Sequence, residues 1–303
     1  MSTADLALDP SERMDRPNKA DSPTGRAIRR FRRHRLAMLA LVIFGVICLS
    51  AIFAPVIERY PPDAISLRDK FQPPSAEHWL GTDRLGRDVW SRTVNGGRVS
   101  LAVGLSAALI ATSIGMLLGA VSGYYGGWSD MGVMRVTDVF LTFPPIIIML
   151  AIAAFVGQSI VNIILIIGLL SWPTTARLVR GQVLAVREEQ FVLASRSLGA
   201  KDSRLINLHV LPNTIAPLLA EVTFAVGAAI LTEAGLSFLG LGVPLPTPSW
   251  GNMIETARSL DVLQNGVWMW APAAFMILMT ILCINFIGDG VRDAMDPRHI
   301  EKG

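Results

Sequence analysis

A chain of 303 residues is long enough for two soluble domains, but 51% hydrophobic against 17% charged residues excludes an ordinary water-soluble protein and makes the bilayer the natural solvent. A net charge of +3, with the basic residues gathered in patches, leaves no footprint for a nucleic-acid partner. Cys48 and Cys283 lie inside apolar runs and read as small buried hydrophobes, not as a disulfide framework.

In chain order, residues 1–25 are polar, carry three prolines and show no apolar period, so a disordered tail is expected there. Six arginines between Arg26 and Arg35 then precede an uncharged run from Leu36 to Ile57. Its 22 residues suffice for a span, which needs about 20, and exceed a cleaved leader's core, so the first span is retained with its basic end in the cytoplasm. Residues 58–98 form a long polar loop placed outside. A second span is expected over 100–122, with Gly123–Gly127 turning the chain. Asp130 begins the next helix, where Arg135 and Asp138 are three apart and can pair. Val139 to Ala176 is 38 residues without a charge, too long for one span. It divides at Gly157-Gln158-Ser159 into span three (131–156) and span four (159–176), with Pro144-Pro145 and Pro173 expected to bend them.

The polar interruption REEQFVLASRSLGAKDSRLINLHVLPN (187–213) follows. Phe191, Ala194, Ser195 and Leu198 fall on one face of a short helix, and Gly199 suits a left-handed cap. Asp202 is placed to cap a second short helix carrying Leu205, Ile206 and Leu208, with Pro212 as its stop. Span five covers 214–232 and contains Glu221; span six covers 267–287; Glu233 is assigned to the loop between them, and a polar tail runs from Gly288. The expected fold is therefore all-α, polytopic, with six transmembrane helices. Lysine and arginine place both ends inside: the proposed inner segments hold 9, 1, 6 and 3 of them, and the outer loops 7, 0 and 1.

The stretch Gly81–Asp88 has the glycine spacing of a phosphate loop, but Arg87 replaces the lysine and Asp88 the magnesium-binding hydroxyl. None of Lys19, Lys70, Lys201 and Lys302 follows a glycine, so any ATPase driving this chain is a separate protein. The four histidines form no HExxH pair, and there is no CxxC or GxSxG, so no catalytic or metal constellation is read. His209 reads as a polar-face or interface residue. Glu221 is the one acid well inside a predicted span, a candidate either to line a pathway, to carry a proton or to bond a neighbouring helix. The small residues Ala102, Gly104, Ala107, Ala108 and Ala111 of span two are expected to allow close helix packing.

Four stretches together resemble the dipeptide, oligopeptide and nickel permease family of bacterial ATP-binding-cassette importers, of the C-subunit type, over residues 26–300. They are HWLGTDRLGRDVWSR (78–92) leading to GGRVSL (96–101); MRVTDVFLTFP (134–144); ARLVRGQVL (176–184) with the 187–213 segment; and EAGLSFLGLGVPLPTPSWGNMI (233–254) with NFIGDGVRDAMDPR (285–298). The resemblance implies a type I importer permease fold with a cytoplasmic coupling helix, in the bacterial inner membrane. It also implies a second homologous permease, two cytoplasmic ATPase subunits holding ATP and magnesium, and an extracytoplasmic binding protein, with no cofactor in this chain. In the family's loop motif (Glu-Ala-Ala, three residues, Gly, nine residues, Ile, any residue, Leu-Pro), Ala194, Gly199, Leu211 and Pro212 match. Leu193 stands for the glutamate, Ser195 for the second alanine and His209 for the isoleucine. The implied docking set is Phe191, Leu193, Ala194, Ser195, Leu198, Gly199, Ala200, Leu211 and Pro212; the family's ion pair to the ATPase is lost unless Glu188 or Glu189 supplies it. Short peptides are the leading cargo, nickel or another small solute an alternative, and a proton-coupled carrier using Glu221 the reading from another class.

Overall fold

The computed structural model describes residues 23–295, and among them every regular element is helical. Helix α1 (Pro23–Arg33) is followed by α2 (Arg35–Ile52), with the His34 imidazole accepting from the Ala37 amide as its cap. A short α3 (Ala54–Ile57) ends the first span. Then come α4 (Val89–Tyr125), α5 (Gly127–Thr142), α6 (Pro145–Val156) and α7 (Ile160–Arg187). The polar interruption folds as α8 (Gln190–Ser197), α9 (Asp202–Leu205) and a π turn, Ile206–Val210. It leads into α10 (Leu211–Phe238), after which α11 (Trp250–Glu255) and α12 (Leu260–Asn265) precede α13 (Val267–Met295). Five helices are long and apolar enough to cross a membrane; the α5–α6 pair, bent by 84°, makes a sixth span.

Residues 1–22 and 296–303 of the expected tails lie outside the described residues; 23–25, assigned to the first tail, open α1 instead. The bend expected at Pro144-Pro145 is where α5 and α6 break, because Pro145 has no amide proton to give and fits the first turn of a new helix. Pro173 sits buried inside α7 without ending it. Gly126 and Gly127 (φ +65° and +53°) turn the chain after α4, and Gly157 (φ +86°) after α6.

Several helices outrun the apolar stretches from which their ends were read. Residues 89–98, assigned to a polar loop, are the first turns of α4, where buried Arg92 donates to the Pro62 carbonyl at 3.1 Å and lies 3.6 Å from Asp63. Helix α7 continues eleven residues past Ala176 because its arginines find partners: Arg180 pairs bidentately with Asp130 at 2.5 and 2.6 Å. Arg187 donates to the Gly123 carbonyl at 2.9 Å, one of the unpaired acceptors at the end of α4. The Arg135–Asp138 pair does not form; Asp138 accepts from Arg177 of α7 at 2.8 Å. Hydropathy registers where the bilayer ends, whereas a helix ends where its backbone and charges stop being satisfied.

The most extensive contact in the molecule is α4 against α7. Gly115, Gly119 and Gly123 recur every four residues along α4 and let the α7 backbone approach. A Cβ on Gly119 would lie 2.5 Å from the Ala176 carbonyl oxygen, and one on Gly123 2.9 Å from that of Arg180. The small residues of span two take part in this close packing: Ala107, Ala108 and Ala111 are buried, and Gly104 abuts Ile230 of α10. Only Ala102 of that stripe is exposed.

Helices α10 and α13 run antiparallel, since Gly227 meets Ile284 and Gly288 meets Phe224. With α1 packed on the last turns of α13, where Gly290 touches Phe31 and Ala37, both described ends of the chain share the end that carries α8. The 58–88 segment and α11 occupy the opposite end.

Candidate functional site

Three features along one axis draw attention: the α8 segment at one end, a cavity around Glu221 midway, and a buried carboxylate, Glu233, toward the other end.

Helix α8 closes as expected at Gly199 (φ +83°). The Gly199 amide donates to Arg196 and the Ala200 amide to Ser195, the paired bonds of a Schellman cap. Only Val192 of α8 is buried, and it joins Leu205, Val210, Val179, Val183 and Leu218 in one apolar cluster with Tyr124. Polar bonds reinforce it: the Tyr124 hydroxyl donates to Asp202 at 2.7 Å and accepts from Arg196 at 3.2 Å, with the Arg196 guanidinium 5.6 Å from the ring centroid.

Asp202 therefore does not cap α9. Lys201 holds the cap position, and Asp202, in the first turn, spends its carboxylate on Tyr124. Nor is Pro212 a stop. It occupies the first turn of α10, where a missing amide costs nothing, and the wider π turn before it absorbs the steric misfit of the ring. The segment is thus one bent, continuous rod from α9 into span five.

The docking set divides cleanly. Phe191, Leu193, Ala194, Leu198, Gly199 and Pro212 are exposed, with Leu198 at 89%. Ser195 is half-buried and bonds back to the Phe191 carbonyl, while Ala200 and Leu211 turn inward onto the Val192 cluster. His209 lies beside Phe191, ring centroids 6.3 Å apart. Glu188 is held by Arg187 at 3.0 Å, so of the two acids upstream Glu189 is the one left without a side-chain partner among the described residues.

Glu221 stands about 15 Å along α10, a helix of about 40 Å. It lines a cavity of about 450 Å³ between α4, the α5–α6 break, α7 and α10.

The other acid lies where the sequence does not suggest it. Glu233 is not in a loop but inside α10 and fully buried, accepting from Ser100 of α4 at 2.9 Å and from Ser237 at 2.7 Å. Ser100 also accepts from the Trp250 amide at 3.1 Å, and the buried Trp250 indole donates to the Thr93 carbonyl at 2.9 Å over Gly96 and Gly97. GGRVSL and the EAGLSF–SWGNMI stretch are therefore two halves of one polar knot. The 58–88 segment is closed similarly: Asp83 accepts from the Leu85 and Arg87 amides and the Arg87 side chain. Asp88 caps α4 and contacts His78 at 2.8 Å, so both acids of the glycine-spaced stretch are structural.

Comparison with known proteins fits this architecture. Residues 115–301 match the family model of the binding-protein-dependent transport system inner membrane component, and residues 22–74 that of the N-terminal transmembrane domain of oligopeptide transport permease C. The chain belongs to this permease family. Among curated relatives, the permease is 45% identical to a Brucella suis protein carrying a peptide-permease name, over 91% of both chains. It is 42% identical to the oligopeptide transport system permease protein OppC of Bacillus subtilis (90% of this chain, 88% of the relative). Against the dipeptide transport system permease protein DppC of Alkalihalophilus pseudofirmus the figure is 41% (92% and 91%). A chain in inward-facing structures of the MetNI methionine ABC transporter shares the fold at a TM-score of 0.56 and 18% identity, covering 68% of the permease and 96% of that chain. The permease is accordingly a multi-pass membrane transport component and not an enzyme.

Proposed function

We propose that the chain is the pathway-forming subunit of an ATP-driven importer of short peptides. It pairs in the lipid bilayer with a second, homologous permease and with two cytoplasmic ATPase subunits that hold the ATP and magnesium, and it receives cargo from an extracytoplasmic binding protein. Relatives named for peptide, dipeptide and oligopeptide transport support the cargo. The arginines and lysine of the α7–α9 region, with the arginines before α2, support a cytoplasmic position for α8 and both chain ends.

One observation carries the mechanism: α8 is fastened on one side by Val192 and presents Phe191, Leu193 and Leu198 to solvent on the other. An apolar helix face of this kind seats in a groove on a partner. Closure of the ATPase pair would push α8, and the rod formed by α9, the π turn and α10 would carry the displacement to the cavity. With Leu193 where the family has an acid, docking rests on apolar burial, with Glu189 as the acid free to add an ion pair.

The test is reconstitution of both permeases with the ATPases and binding protein in vesicles. Peptide uptake should require ATP, and Leu193→Asp should hydrolyse ATP without commensurate uptake or fail to retain the ATPase. Uptake without any ATPase, or unchanged coupling in L193D, would contradict the proposal.

A further inference from the structure

The cavity around Glu221 has mostly apolar walls but holds polar groups that its position does not require. It lies under the α5–α6 break, whose 84° turn swings α6 away from the α5 axis and leaves space beside α7 and α10. Glu221 is the only ionisable side chain among its lining residues. Within the described chain, Glu221 makes no hydrogen bond or ion pair, and neither do the side chains of Ser171 and Thr174 on the facing turn of α7. Phe140 and Phe224 supply apolar wall. Glu233, on the same helix, shows how this chain treats an acid it keeps for packing: it buries it completely and surrounds it with serine hydroxyls.

Glu221 lies four residues inside the apolar Pro217–Phe238 stretch of α10, where a carboxylate without a partner is costly unless water or a polar group reaches it. The cavity therefore opens toward water or a polar occupant. Its volume, about 450 Å³, lies in the range of roughly 300–1,000 Å³ typical of small-molecule sites. Apolar walls, unpaired hydroxyls of Ser171, Thr174 and Thr175 and one unpaired carboxylate complement a small cationic group carried on a partly apolar molecule.

Resting on the peptide-importer reading above, we infer that Glu221 is a recognition point in the pathway for the free α-ammonium group of a passing peptide. The carboxylate accepts a charge-assisted hydrogen bond from the ammonium while the Ser171 and Thr174 hydroxyls are available to the peptide's amide groups. Such a contact must be weak enough to release cargo, so its signature is selectivity more than tight binding.

The experiment uses the complete transporter in lipid nanodiscs without its binding protein, titrated calorimetrically with trialanine and with N-acetyl-trialanine, which lacks the ammonium. Wild type should bind trialanine at least about tenfold more tightly than the acetylated peptide, the scale of one charge-assisted bond. E221Q should lose the preference and E221D should retain it. Equal binding of the two peptides by wild type, no binding of trialanine, or a preference that survives in E221Q each overturns the inference. If E221Q does not assemble, the wild-type pair of titrations decides. ATP-driven uptake by the same preparation, supplied with binding protein, separates the two readings. Uptake without an ammonium preference in the titrations removes only the role of Glu221, whereas absence of any peptide uptake removes the importer reading itself.

Discussion

Replacing Val192 by alanine should release α8 from the body of the permease while leaving the spans in place. Val192 is fully buried and is the one buried residue of α8, so the helix hangs on this side chain and on the Arg196–Tyr124 contact. The substitution removes two methyl groups, about 0.8 kcal/mol each, and the cavity left behind brings the loss to about 2 kcal/mol. Alanine is the better helix former by about 0.5 kcal/mol, which offsets part of that. A net loss of about 1.5 kcal/mol is roughly a tenfold shift toward the undocked segment. An eight-residue helix is not stable alone in water, so undocking is also unfolding. Amide hydrogen exchange in α8 and at the capping amides of Gly199 and Ala200 should therefore quicken about tenfold, with α4 and α7 unchanged, and fewer peptides should be imported per ATP hydrolysed. Unchanged α8 exchange would refute the fastening role of Val192; equal acceleration in α4 and α7 would show that it serves the whole fold and not α8 alone.

Two other substitutions probe the frame. Glu233→Leu strips the acceptor from the Ser100 and Ser237 hydroxyls in a buried site, at about 1–3 kcal/mol for each group left unsatisfied, so the melting temperature of the purified complex should fall; no change would argue against the knot as a structural fastening. Gly119→Leu cannot be absorbed by rotamer changes, because the nearest obstacle is the α7 backbone at 2.5 Å; forcing α4 and α7 apart should cost about 1–3 kcal/mol and reduce the yield of assembled transporter, and a wild-type yield and melting temperature would contradict the close-packed seam.

The span count, the α5–α6 bend and the Gly199 cap follow from local chemistry and were readable in the sequence: long uncharged runs, a Pro-Pro pair, a glycine after a short amphipathic stretch. What escaped the sequence was long-range pairing. Glu233 reads as a loop residue beyond span five, yet α10 runs to Phe238 and ends at Gly240 (φ +81°) with the same paired amide bonds seen at Gly199. Its partner Ser100 is 133 residues away, and no local pattern links them. Val192 lies between exposed Phe191 and Leu193, and only the cluster it enters from α4, α7 and α10 distinguishes it. Asp138 has Arg135 as its helical neighbour, yet it accepts from Arg177, 39 residues on. Of the docking set, Ala200 turns inward from the Gly199 cap, whereas the inward turn of Leu211 follows the π turn, which bears no signature in INLHV.

Helix α10 ties these features into one mechanical argument. It begins at the π turn that receives α8 and α9, carries Glu221 about 15 Å further on, and is anchored to α4 through Glu233 about 18 Å beyond that. A displacement applied at the Val192 cluster therefore acts on a rod whose far end is held by buried hydrogen bonds. These bonds add to the packing of α10 on α4 and α13, so a push from α8 displaces α10 most near Leu211, less at Glu221 and least at Glu233. Weakening the anchor and weakening the push should thus have different consequences. Glu233→Leu loosens the anchor and should let α10 shift as a whole, opening and closing the cavity less for the same ATPase stroke. Val192→Ala leaves the anchor intact and shortens the stroke itself. Spin labels on exposed Leu208 and Leu231 would separate the two: reduced ATP-dependent movement at Leu208 marks a lost push, whereas new movement at Leu231 marks a lost anchor.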